Sequence, residues 1–167
     1  MSEAEDRDEI RQLIATYTIE GDRGNVAKLV TIFADDAVME IPTWRAIGPK
    51  AIFKALGGGP SGTSRVEVSP APAAQRRIVR HHLTSSLITL DGPDDASGRN
   101  YWINYSENGP DHSGLYSDKY KRINGRWKVV RREVRLDWKA SDSRLGPDMH
   151  VGPRPADAGP LREVTAD

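Results

Sequence analysis

Ser113-Gly-Leu-Tyr-Ser-Asp-Lys-Tyr-Lys-Arg-Ile123, Asn124-Gly125, Arg126-Trp-Lys-Val-Val130 is the stretch that decides the fold. Asn-Gly offers two residues that tolerate positive φ, as a two-residue hairpin turn requires, and alternating runs flank it on both sides. The reading is a β-hairpin, with strands over Ser113–Ile123 and Arg126–Trp138. The same pattern occurs twice upstream. Ile78–Leu90 runs into Asp91-Gly92-Pro93, and Ala96–Tyr105 runs into Asn108-Gly109-Pro110, both of them turn signals. Four long strands joined by turns predict an antiparallel meander.

The chain before the meander has a different period. Ile10, Leu13, Ile14 and Tyr17 share one face of a helix over Ala4–Gly21, with Ser2 or the acidic run behind it as the cap. Val26, Leu29, Val30 and Phe33 line a second helical stretch, which Asp35-Asp36 closes before a short strand over Ala37–Pro42. Gly48-Pro49-Lys50 starts a third helix, Ala51–Leu56, with proline in its favoured first turn. From Gly57 to about Arg77, glycine and proline predominate and a long loop is expected. Gly57–Gly62 is no phosphate cradle: it lacks the following Lys-Ser/Thr and comes after a helix, not a strand. Helices gathered before a meander predict an α+β fold over residues 1–140. Residues 141–167, rich in Pro, Gly and Asp, are expected to be a tail, either disordered or a cover over a pocket.

Composition narrows the function classes. The 24 basic and 24 acidic residues cancel, so there is no clustered basic excess and no nucleic-acid partner is expected. Absence of cysteine excludes disulfides, zinc–thiolate sites and cysteine nucleophiles. No apolar run is long enough for a membrane helix, and the acidic N-terminus is unlike a secretion signal, so the expectation is a cytoplasmic protein with no membrane partner.

Several runs resemble the SnoaL-like branch of the nuclear-transport-factor-2-like superfamily. They are Ile14–Asn25 with its Tyr17 and Asp22, Leu29–Val38 with Phe-Ala-Asp-Asp-Ala-Val, Arg80–Ser85 followed by Leu90-Asp91-Gly92, and the hairpin from Leu115 to Val129. They occur in the family's order across residues 8 to 138. The resemblance implies a cone-shaped, curved antiparallel sheet packed against N-terminal helices around an internal pocket. Similar family members include bile acid 7α-dehydratase, hexachlorocyclohexane dehydrochlorinase and scytalone dehydratase. It further implies a cofactor-independent lyase of the elimination type, or an isomerase or cyclase, acting on a hydrophobic ring-containing small molecule. A non-catalytic ligand-binding protein and a structural subunit like the small subunit of ring-hydroxylating dioxygenases are the other readings the fold allows. By analogy, a homodimer or higher homo-oligomer is expected.

His81 and His82 are neighbours in a strand and must face opposite ways. Periodicity leaves open which one faces inward; the resemblance selects His81, on a face shared with Leu83, Ser85 and Leu87. Asp22 is then the acceptor that fixes the imidazole's tautomer. Tyr17 is a donor to a departing oxygen or enolate, and Asn104 stands where a relative carries aspartate. As structural residues, the same side chains would be a hydrogen-bonded strand histidine, a helix cap and a core tyrosine. Trp44, Ser85, Trp102, Tyr116 and Tyr120 are the expected substrate contacts, with Trp138 in the same aromatic set, in a pocket for a flat or polycyclic ligand. Arg131, Arg132 and Arg135 read as a solvated face, with Arg135 the one to reach a ligand carboxylate. His112 and His150 read as loop residues without metal-ligand spacing, so no metal is expected.

Overall fold

The computed structural model describes residues 2–58, 79–143, 145–146 and 148–166. Helix α1 spans Glu3–Asp22. Ser2 caps it through a reciprocal box: the Glu5 N–H donates to Ser2 Oγ, and the Ser2 N–H donates to Glu5 Oε2. This satisfies two of the amides that a helix N-terminus leaves unpaired. Helix α2 covers Val26–Leu29 and runs into a short 3₁₀ turn, Val30–Ile32. Strands β1 (Phe33–Glu40) and β2 (Trp44–Ile47) follow, then helix α3, Gly48–Ala55. The meander is β3 (Val79–Leu90), β4 (Asp95–Ser106), β5 (Gly109–Ile123) and β6 (Arg126–Lys139). A last strand, β7, covers Arg162–Val164.

These seven strands form one curved, open sheet in the order β3-β4-β5-β6-β1-β2-β7. The α+β fold is the one expected, and β3 to β6 pair antiparallel throughout. The hairpin turn has φ of 52° at Asn124 and 76° at Gly125, the double positive φ expected of the Asn-Gly pair. Beyond the meander, the pairing is mixed. β1 joins β6 in parallel, and β7 joins β2 in parallel. Neither contact is between sequence neighbours, so no local turn signal announces it.

The second segment departs from the helical reading. Phe33 does not end a helix; it opens β1, and Asp35-Asp36 lie within that strand as exposed residues. The helical period of Val26, Leu29 and Val30 is cut short because Phe33 is pulled into register with Val129 on β6. The strand Trp44–Ile47 has no alternation long enough to identify it. The loop expected from Gly57 to about Arg77 lies, beyond Gly58, outside the described residues.

The core sits between the inner face of the sheet and the helices. Ile10 and Ile14 of α1 pack with Leu29, Phe33, Met39, Trp44, Ile52 and Val129. Next to them, Trp102, Tyr116 and Leu136 form a smaller cluster, against which Leu145 and Met149 of the tail pack. The tail is also fastened at its end by the β2–β7 pairing, with Val164 buried.

Candidate active site

One cavity, about 140 Å³, lies between α1 and the inner face of the sheet. Tyr17, Met39, Trp44, Leu56, His81, Trp102, His112, Tyr116, Leu136, Leu145 and Met149 contribute to its wall. Asp22 is the last residue of α1, and its carboxylate reaches across to β3. Its Oδ1 lies 2.6 Å from His81 Nδ1, and Oδ2 accepts the His81 backbone N–H at 2.9 Å. One carboxylate thus holds both the ring and the strand that carries it. The neutral imidazole is fixed with Nδ1–H toward Asp22, which leaves Nε2 as its unprotonated nitrogen. Asn104 Nδ2 is 3.1 Å from that Nε2. His82 faces the opposite way, exposed, with its ring 5.2 Å from Tyr105.

Strand pairing places these side chains in a row. His81 is opposite Asn104, Asn104 opposite His112, and His112 opposite Lys139. Directly paired residues share a face of a sheet, so the four adjacent strands present one polar line.

Tyr17 and Tyr116 meet edge to face at 5.6 Å, and both rings cover the Arg132 guanidinium, at 4.1 and 4.6 Å. Burial raises the pKa of both phenols, Tyr116's well above its ordinary value, so each remains a donor at neutral pH. Arg132 is fully buried. Its Nε and Nη2 donate to the two Asp118 oxygens at 2.8 and 2.7 Å. Burial opposes the charge, but attraction to Asp118 outweighs it and leaves the guanidinium more basic than usual. The reading of Arg132 as part of a solvated face is therefore corrected. The arginines at 131, 132 and 135 cannot by their spacing reveal that one is neutralised from the neighbouring strand.

Three expected substrate contacts lie elsewhere. Tyr120 is buried, but its hydroxyl donates to Asp118 at 2.8 Å, which makes it a brace for the buried ion pair and not a cavity residue. Ser85 is exposed. The cause is a bulge: Leu83 pairs with Trp102, yet Ser86 pairs with Asn100, so the strand carries an extra residue and its faces exchange. Past that point Ser86, itself exposed, takes the face of Asn100 and donates to its Oδ1 at 2.5 Å, while Leu87 lies on the other face. Arg135 forms an exposed pair with Asp137 at 2.6 Å. It lines a separate outer groove of about 410 Å³ with Glu40, Glu133 and His150, to which His81 does not contribute. Trp138 is also exposed. Trp44, Trp102 and Tyr116 do line the cavity.

His112 is not the loop residue expected from a strand starting at Ser113. The strand begins at Gly109, and His112 lines the cavity. Its Nδ1 is 2.6 Å from Asp111 Oδ1, and its ring stands 6.4 Å from that of His81. Adjacent strand residues normally diverge, but Tyr105 pairs with Pro110 and Asn104 with His112, so Asp111 is the extra residue of a bulge and can turn toward its neighbour. The Asn108-Gly109 turn is the signal that extends the strand to include it.

The SnoaL-like domain model matches residues 2–133, and the chain belongs to that family. Among solved structures, a candidate scytalone dehydratase from Novosphingobium aromaticivorans is similar at 20% identity. The match covers 95% of this chain and 97% of that one, with a TM-score of 0.67. A variant of Rv3472 of Mycobacterium tuberculosis, a protein of unknown function, is 22% identical, over 87% of this chain and 79% of that one, with a TM-score of 0.65. A type 2 hexachlorocyclohexane dehydrochlorinase, LinA, is 18% identical, over 87% of this chain and 96% of that one, with a TM-score of 0.63. At such identities the likeness establishes the fold, while the chemistry has to be argued from the site. No curated protein matches the chain.

Proposed function

We propose that the protein is a lyase of the elimination type, with isomerase or cyclase chemistry as the neighbouring possibility, and that its own side chains perform proton transfer on a small ring-containing substrate. The observation that carries this reading is the Asp22–His81 pair at 2.6 Å, with His81 in the wall of an aromatic cavity. In this scheme His81 Nε2 removes a proton from carbon, and the Asp22 carboxylate stabilises the imidazolium that results. The Asn104 amide donates to the neutral ring; turned over, its carbonyl oxygen accepts from the charged one. Tyr17 and Tyr116 supply phenolic donors for charge developing on a substrate oxygen. Trp102 adds an indole N–H that is buried without an acceptor among the described residues, an unmet donor that a substrate oxygen would satisfy.

The cavity's size sharpens the substrate class. A volume near 140 Å³ is enough to hold one six-membered ring. Cyclohexanone in D2O is therefore a suitable probe, with loss of its α-proton signal followed by proton NMR. Wild-type protein should catalyse the exchange. His81→Gln and Asp22→Asn should each slow it, His81→Gln by roughly 10² to 10⁴-fold, the usual worth of a general base. Exchange that proceeds equally fast in His81→Gln would sink the reading and favour a ligand-binding role.

A further inference from the structure

We propose that His112, held by Asp111, is a second catalytic acid–base residue in the cavity and protonates the leaving oxygen while His81 takes the carbon-bound proton. This rests on the elimination reading above and adds the group that reading lacks. A hydroxyl leaves poorly as hydroxide, so elimination of water requires an acid as well as a base.

The geometry supports the assignment in four ways. Both imidazoles line one cavity, with ring centroids 6.4 Å apart. At that separation both rings can contact neighbouring atoms of one small substrate lying over them in the cavity, at roughly 2.6–3.2 Å per contact. Each ring has Nδ1 committed to its own carboxylate at 2.6 Å, which leaves Nε2 as the nitrogen for proton transfer. Asp111 is itself held: Ser143 Oγ donates to its Oδ1 at 2.7 Å, and the Ala140 backbone N–H donates to its carbonyl at 2.8 Å. The Asp111 bulge breaks the strand's alternation and thereby brings the carboxylate to the imidazole.

The step balances with one proton on the pair. His81 Nε2 takes the proton from carbon, and the C–H electrons become the new π bond. The C–O electrons leave with the oxygen, which receives the Nε2 proton of the His112 imidazolium. Water departs, and the pair's proton has passed from His112 to His81; exchange with solvent restores it. Burial lowers the pKa of His112, against the opposing pull of Asp111, and the proximity of His81 lowers it further. Its imidazolium is therefore a stronger acid than an ordinary histidine's, as a donor to a poor leaving group should be. The charged and titratable groups around it are Asp111 on its own strand, His81 and Asp22 beyond Asn104, Tyr116, and Lys139 across on β6. Lys139 Nζ is turned to the Gly146 and Met149 carbonyls.

Two probes separate the halves of the reaction. Exchange of cyclohexanone α-protons in D2O requires a base. Conversion of 3-hydroxycyclohexanone to cyclohex-2-enone, read by ultraviolet absorbance, requires an acid too. With the full-length protein, His112→Gln and Asp111→Asn should depress elimination at least about tenfold more than exchange, whereas His81→Gln should depress both alike. Equal effects of the His112 and Asp111 changes on both probes, or none on either, would overturn the proposal while leaving the His81 reading intact. Loss of exchange sensitivity to His81→Gln would instead remove the underlying reading. Should neither probe react, imidazole nitrogen NMR decides: His81→Gln must shift the His112 titration midpoint, and an unmoved midpoint overturns the pair.

Discussion

His112 illustrates how one side chain's surroundings set its ionisation. Its burial holds the folded-state pKa below 6.5, the unfolded-state value. The unfolded chain therefore binds more protons in this window, and stability contributed by the neutral ring is present above pH 6.5 and lost as pH falls through the folded pKa. Denaturant midpoints measured at falling pH should drop less in His112→Gln than in the wild type. Arg132 makes a complementary case. It and Asp118 are both without side-chain exposure, and removing one leaves the other charge buried and unpaired. Arg132→Met should cost about 3–5 kcal/mol, while Arg132→Met combined with Asp118→Leu should cost clearly less. Urea unfolding of the two variants checks this, and equal losses would mean that the ion pair itself carries the stability.

At the scale of elements, bulges decide what the strands present. Between Leu83 and Ser86, β3 gains a residue, which lets His81 face the cavity near one end and Ser86 hydrogen-bond to the buried Asn100 near the other. Gly114 on β5 has a related part. A Cβ there would lie 2.7 Å from Trp102 Cζ2 and closer still to the Arg135 carbonyl oxygen. The stacking of Trp102 on Tyr116, at 5.3 Å and 19°, depends on that missing side chain. Gly114→Ala should destabilise the protein by roughly 1–3 kcal/mol, the usual cost of overpacking. A thermal melt with near-ultraviolet circular dichroism, which reports on the tryptophans, is the appropriate measurement.

For the whole molecule, the tail adds to the cavity that the sheet and helices begin. Leu145 and Met149 form part of its wall, Ser143 holds Asp111, and β7 anchors the end of the segment on β2. Among the described residues, no helix is long and apolar enough to cross a membrane. Deleting residues 141–167 should leave the β3–β6 meander but open the cavity to water. Far-ultraviolet dichroism should then stay close to wild type, while tryptophan emission shifts to longer wavelength as Trp102 is wetted.

The sequence by itself determined the parts that rest on local chemistry. The Asn124-Gly125 turn, the apolar face of α1 and the period-two runs of β3 to β6 follow from backbone preferences and alternation over a few residues. The motifs around Asp22 and His81 added a resemblance that brought both into one pocket, and the structure places them in contact. Only the tertiary structure decided what depends on pairing between distant segments. Parallel pairing drew Phe33 out of a helical pattern and into a strand. Two bulges turned Ser85 outward and joined Asp111 to His112. Asp118 on β5 recruited Arg132 from β6 and took Tyr120 away from the cavity. A strand's period shows that it has two faces, but an inserted residue exchanges them, and a charge's environment is set by whichever strand comes to lie beside it.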